Sequence, residues 1–202
     1  MIENDVSIPI IPDIDELIER IVFSEKEIDF IVGEQAKRAV KYIERFNMHE
    51  LVYIVVKNGA KPYADKLKKQ ILEQLEIKNY KLDIIEDDIT LSSYKGTKSG
   101  DIILIEDIKN DIKNKFILVV EDIEDSGKTL DFLYRHFSAK SPNWIRFSVF
   151  LKRRAGYSRE ITVDIGAYST SNKWFIGFGL DYFGHYRELP YLAEIKDKYQ
   201  II

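Results

Sequence analysis

The strongest constraint on the fold is the run Phe116-Ile117-Leu118-Val119-Val120, apolar without a break, which leads directly into Glu121-Asp122-Ile123-Glu124-Asp125-Ser126-Gly127-Lys128-Thr129. A short run rich in β-branched residues suits a strand buried on both faces of a parallel sheet. Leu130, Leu133, Tyr134 and Phe137 then recur at helical spacing, so the segment reads strand, acidic turn, helix. The same order occurs earlier: 51–56 is a second apolar run, Lys57-Asn58-Gly59-Ala60-Lys61 is its turn, and Tyr63, Leu67 and Ile71 open the next helical pattern. Ahead of it, Ser24 and Glu27 form a capping box for a helix whose face is Ile28, Ile31, Val32, Ala36, Ala39, Val40 and Ile43. Further strands are expected at 81–85, 101–105, 144–151, 162–165 and 174–178, with a polar, mobile loop at 92–100 and an extended Pro-spaced arm near 8–12. Strands alternating with helices specify an α/β fold, a mostly parallel twisted sheet flanked by helices, with ligands beyond the C-terminal strand ends.

Composition narrows the chemistry. The 202 residues suit one domain with a small appendage, and a net charge of -4 argues against duplex nucleic acid, which calls for a basic face. With no cysteine and three scattered histidines, His49, His136 and His185, any metal would sit on oxygen. No apolar stretch approaches the ~18 residues of a membrane span, and the first residues carry no secretory pattern, so a cytoplasmic location is the expectation.

The segment 121–129 carries the chemistry. Ser126, Gly127, Lys128 and Thr129 start a helix, where backbone N–H groups and the positive dipole end make a phosphate cradle. Glu121 and Asp122 beside it would repel a bare phosphate but accept hydrogen bonds from sugar hydroxyls, which points to a phosphorylated sugar. The alternative is a solvated acidic turn that merely caps the helix. A P-loop is excluded, because the Gly it needs five residues before Gly127 is Asp122.

The stretch 119–130 also resembles the phosphoribosyl pyrophosphate (PRPP) signature of type I phosphoribosyltransferases, in the version found in hypoxanthine-guanine phosphoribosyltransferases. Val55-Val56-Lys57-Asn58-Gly59-Ala60 is similar to that family's pyrophosphate loop, and Ser93-Tyr94 to its flexible catalytic loop. Leu151-Lys152-Arg153 resembles its purine-reading strand end, and the blocks 173–182 and 186–191 the remainder of its purine site. The blocks keep the family's order from about residue 25 to about 195. The resemblance implies a type I phosphoribosyltransferase-like core at about 48–170 and a small hood from about 1–25 and 171–202 within a single domain.

The implied reaction transfers the phosphoribosyl group from PRPP to N9 of a 6-oxopurine (hypoxanthine, guanine or xanthine) with Mg²⁺, giving a nucleoside monophosphate and pyrophosphate. Asp125, its pKa raised by partial burial, would be the general base, and Ser93 and Tyr94 the lid. Glu121, Asp122, Ser126, Gly127, Lys128 and Thr129 would hold PRPP, and Lys57, Asn58, Gly59 and Arg187 the pyrophosphate. Lys152 would donate to O6, favouring 6-oxo over 6-amino bases, with Lys173, Trp174 and Phe175 completing the purine site. Asp181, Glu121 and Asp122 would serve the metal. Asn58, Glu124, Ser126 and Trp174 depart from the family's usual residues; Glu124, normally apolar, is expected to raise the Asp125 pKa or draw in a second cation. Arg153 and Arg154 read as a solvated basic run, and His185 has no role. A homodimer or homotetramer is implied, with the arm at 6–12 available for an interface. The alternative function is a PRPP- or nucleotide-binding regulator of the same fold without turnover.

Overall fold

In the computed structural model the described residues are 11–93, 102–153, 163–169 and 171–200. The described chain runs α1 (Ile14–Leu17), β1 (Ile18–Phe23), α2 (Glu25–Arg45), β2 (Glu50–Lys57), α3 (Lys61–Ile77), β3 (Asp83–Ser93), β4 (Ile102–Glu106), β5 (Phe116–Glu124), α4 (Lys128–Ser138), β6 (Trp144–Arg153), β7 (Val163–Ser169), β8 (Phe175–Ile176) and β9 (Leu192–Ile195), with a last short turn of helix at Asp197–Tyr199. Six strands form one sheet in the order β4-β3-β2-β5-β6-β7, parallel except for β4, which runs antiparallel to β3. The expected α/β class is what the chain adopts.

The two apolar runs become the central strands β2 and β5, whose side chains must be covered on both faces. Helices α2 and α3 cover one face through Val32, Ala36, Tyr63, Leu67 and Ile71. Helix α4 covers the other through Leu130, Leu133 and Phe137. Tyr134, expected on the same face, is exposed instead. Helix α2 starts with the expected capping box, Ser24 and Glu27 satisfying each other's backbone N–H groups. Two buried hydroxyls lock α3 to the sheet: Tyr53 donates to the Ala64 carbonyl at 2.7 Å, and Tyr63 lies 2.6 Å from Ser148 Oγ.

Strand β3 departs from expectation, starting at Asp83 and continuing through Glu86, Asp87 and Asp88 to Ser93. Each acid has a distant partner: Lys68 for Glu86, Lys57 for Asp88, and the 108–110 turn for Asp87. Asp87, only 8% exposed, accepts from the Lys109 and Asn110 amides, from Asn110 Nδ2 and from the Asp88 amide. Burial alone would raise its pKa, but these hydrogen bonds overcome that and hold the carboxyl below the usual range. A depressed carboxylate contributes stability that is complete above the unfolded value of about 3.9 and is lost as pH falls through the lower folded value. Asp87→Asn is therefore expected to cost about 1–3 kcal/mol near neutrality. Urea denaturation should show the gap to the parent protein narrowing in acid, whereas a constant gap would sink the electrostatic account.

A second sheet, β1-β9-β8, is built from both ends of the described chain and was invisible in the local pattern for β1 and β9. Arg20 bridges the Glu194 carboxylate with two bonds, at 2.7 and 3.1 Å, across the β1–β9 pair. Leu17, Ile176, Ala193 and Ile195 form its apolar centre, and Ile11, near the end of the expected arm, packs on it. The strand expected at 174–178 shrinks to Phe175–Ile176, because Gly177, Phe178 and Gly179 turn through left-handed conformations (φ 89, 47 and 100°). Gly177 has no room for a Cβ, which would lie 2.1 Å from the Tyr191 carbonyl oxygen. Among the described residues no helix is long and apolar enough to cross a membrane.

Candidate active site

Strand β2 connects through α3 to β3 on one side of it, while β5 connects through α4 to β6 on the other. The two connections leave in opposite directions, so the C-terminal ends of β2 and β5 flank the point where the strand order reverses. Pairing between them ends at Val55 and Val120, and beyond that rung opens a cleft of about 420 Å³. Its walls include Lys57, Asn58 and Gly59 from the turn after β2, and Glu121, Asp122, Glu124 and Asp125 from the end of β5. Ser126, Gly127 and Thr129 close one side, and Asp181 and Arg187 come from the 177–187 turns.

Of the acids expected in a loop, Glu121, Asp122 and Glu124 belong to β5, which runs on to Glu124. Glu121 Oε1 accepts from the Asp122 amide at 3.2 Å, and its other oxygen is buried without a hydrogen bond among the described residues. Burial, and then the neighbouring Asp122 charge, push the Glu121 carboxyl well above the usual range. Burial raises Asp122 too, a shift that Glu121, the Ile123 amide and Arg187 only partly offset. Helix α4 begins at Lys128 after Gly127, which sits at φ 75° and leaves the helix start without a side-chain cap. Gly127 brings no side chain to the first-turn N–H groups, which leaves room for an anion there. Gly127 and Thr129 line the cleft; Lys128 does not.

Opposite stands the turn after β2, whose Lys57–Asn58 peptide is cis. Lys57 pairs with Asp88 at 2.8 Å, and that hydrogen bond raises its pKa. Gly59 is packed so closely that a Cβ would fall 1.6 Å from Asp122 Oδ2, and a Cβ on Gly179 would fall 1.9 Å from the Gly59 carbonyl oxygen. Arg187 secures this contact, donating to the Gly179 carbonyl at 2.6 Å and pairing with Asp181 at 2.5 Å.

The expected metal carboxylates are unequal. Asp181 is already engaged by Arg187 on one oxygen and by the Gly184 amide, at 2.6 Å, on the other. Among the described residues no three His, Asp or Glu side chains converge into a metal cage. The buried free oxygen of Glu121 beside Asp122 does fit a hard cation that takes most of its ligands from phosphate and water.

Two expectations about Asp125 are corrected. Its side chain is 61% exposed rather than partly buried, because it lies past the last residue of β5. Glu124 takes the buried position, 4% exposed, and faces Lys152 at 3.3 Å across the β5–β6 rung, so its charge is directed at Lys152 rather than at Asp125. Arg153, read as solvated, is also corrected: its side chain is 13% exposed and packs over the Phe175 ring.

The expected purine residues do not line the cleft. Lys152 is tied to Glu124, and Lys173 binds Glu19 and Asp197. Trp174 Nε1 donates to the Asp181 carbonyl at 2.8 Å, and Phe175 is buried in the core. Ser93 is described only as the last residue of β3, and Tyr94, Arg154 and residues 94–100 lie outside the described residues.

Residues 27–182 match the phosphoribosyl transferase domain family. The chain is 30% identical over 186 residues to the hypoxanthine-guanine phosphoribosyltransferase of Streptococcus mutans, covering 91% of this chain and 97% of that one. It is 31% identical over 180 residues to the protein of the same name from Dictyostelium discoideum, covering 88% and 96%. Among solved structures it resembles the hypoxanthine phosphoribosyl transferase of Trypanosoma cruzi, with a TM-score of 0.81, 27% identity and coverage of 94% and 96%. A hypoxanthine-guanine phosphoribosyltransferase of Bacillus anthracis superposes with a TM-score of 0.73 at 30% identity, covering 89% and 98%.

Proposed function

The chain belongs to the phosphoribosyl transferase family, and from that premise we propose that it is a hypoxanthine-guanine phosphoribosyltransferase of purine salvage, moving the 5-phosphoribosyl group of PRPP to N9 of a 6-oxopurine. The observation that carries this reading is the cleft at the β2–β5 reversal, where a carboxylate pair stands between an uncapped helix start and a turn bearing a lysine. Hydroxyls suit the carboxylates, the 5'-phosphate suits the amides of 126–129, and the departing pyrophosphate suits Lys57, the Asn58 and Gly59 amides and Arg187.

In the reaction the N9 lone pair forms the bond to the anomeric carbon as the bond from that carbon to the pyrophosphate oxygen breaks, and the pyrophosphate leaves with the electron pair. Asp125 takes the proton that the purine loses from N7, and its exposure at the cleft wall leaves it open to the base. Outside the cleft walls, Lys152 would turn from Glu124 to read O6, with Lys173, Trp174 and the backbone at Phe175 bordering the base. Ser93 and Tyr94 form the closing loop that excludes water from the electron-poor sugar carbon. Glu121 and Asp122, with Asp181 in reserve, would hold Mg²⁺, whose charge would neutralise the departing pyrophosphate. The three-stranded sheet with its flanking turns acts as the hood, and residues 48–170 as the core of one domain. The protein works in the cytoplasm as a homodimer or homotetramer.

Incubation with Mg²⁺, PRPP and each of hypoxanthine, guanine, xanthine, adenine and uracil tests the reading. Nucleoside monophosphate and pyrophosphate are expected in equal amounts with the 6-oxopurines, and far less with adenine or uracil. PRPP binding without product from any base would instead favour a regulator that has kept the fold.

A further inference from the structure

Arg153 ends β6, one residue beyond the Glu124–Lys152 rung. Its guanidinium makes three contacts with two separate parts of the molecule. Nη2 donates to the Lys173 carbonyl at 2.7 Å, Cζ sits 5.0 Å from the centre of the Phe175 ring, and Nη1 approaches Asp125 Oδ1 at 3.5 Å. Lys173 and Phe175 belong to the three-stranded sheet and its entry, while Asp125 belongs to the turn between β5 and α4. A planar cation fixed by a carbonyl in its plane and a ring against its face has little rotational freedom. Asp125, by contrast, is mostly solvated and would sample several rotamers unless something held it.

We propose that Arg153 is a positioning residue: clamped between the Lys173 carbonyl and the Phe175 ring, its guanidinium fixes the orientation of the Asp125 carboxylate and ties it to the segment that borders the base. Ordering of residues 173–175 around a bound purine is thereby transmitted to the carboxylate that must meet the purine proton. A lysine cannot substitute, since a point cation cannot bond the carbonyl, face the carboxylate and lie flat on the ring together. The inference rests on the transfer reaction and on Asp125 as its base.

The test is a double-mutant cycle on the full chain, with kcat, the PRPP KM and a thermal melt measured for each protein. R153M is expected to lower kcat by about ten- to a hundredfold while the PRPP KM stays within about threefold, because orientation and not sugar binding is lost. R153K should recover little of that loss. In a D125N background the same change should cost less than about threefold, since the group it orients has already lost its function. A merely structural arginine would cost the same factor in both backgrounds, and that result, or an unchanged kcat in R153M, overturns the inference. Should R153M fail to fold, R153Q keeps an uncharged donor for the Lys173 carbonyl and runs through the same cycle with the same two outcomes. An inactive parent protein overturns the reaction itself, which separates that failure from an active parent with an additive cycle.

Discussion

Asp125→Asn is expected to lower kcat by about 10²- to 10⁴-fold while PRPP affinity changes by no more than about threefold. The substitution keeps size and hydrogen-bonding shape, and an amide oxygen can still accept from Arg153, so the turn and its neighbours have no reason to move. It removes only the capacity to take a proton. The PRPP contacts are assigned to Glu121, Asp122 and the helix start, and Asp125, past the end of β5, is not among them. Steady-state rates with hypoxanthine, set beside the PRPP dissociation constant from calorimetry, separate the two quantities. Equal losses in both would move Asp125 from proton transfer to sugar binding.

The central strands were legible because burial on both faces leaves an unbroken apolar run, which is how β2 and β5 read. Strand β3 was legible only as far as Ile85, since Glu86, Asp87 and Asp88 look like loop residues until Lys68, Lys57 and the 108–110 turn supply their partners. Those partners are remote in sequence, so no local window contains them. Strands β1 and β9 were hidden for a related reason: they pair with each other across nearly the whole chain, and β9 has only four residues. Patterns of period two need more length than that to stand out.

The site divides in the same way. The cradle at 126–129 and the acids before it are contiguous, so their chemistry could be read in order. What could not be read was parity. Glu124 and Asp125 are adjacent, yet the first is buried and the second is exposed, because the strand ends between them. The expectation of a buried Asp125 placed that burial one residue too late. Arg153 was dismissed with a basic run, although β5–β6 register puts Lys152 opposite Glu124 and hence the next cation beside Asp125. A strict cross-strand reading of 121–125 against 149–153 was the available signal.

Gly59→Ala should be among the most damaging single-methyl changes, because the Gly59 backbone is confined from two sides. The new Cβ would lie 1.6 Å from Asp122 Oδ2 and 2.7 Å from Cγ, far inside van der Waals contact. Asp122 cannot simply swing away, as its other oxygen holds the Ile123 amide at 2.7 Å on a central strand. Nor can the turn retreat, since Gly179 already presses on the Gly59 carbonyl closely enough to exclude a Cβ of its own. Either the carboxylate or the turn must move by an ångström or so, and the sugar-binding acid then loses its register with the pyrophosphate amides. A displacement of that size is expected to lower kcat/KM for PRPP by about a hundredfold or more, and overpacking should cost about 1–3 kcal/mol of stability. Gly33→Ala provides the contrast. It lies within α2, where only the end of the Gln70 side chain, at 3.0 Å, must yield, and helix propensity favours alanine by up to about 1 kcal/mol. Kinetics and melting curves of the two variants should therefore diverge, Gly33→Ala matching the parent in rate. Wild-type kcat/KM for PRPP in Gly59→Ala would mean that the β2 turn and Asp122 do not serve one substrate, and the pyrophosphate role of Lys57, Asn58 and Gly59 would have to be abandoned.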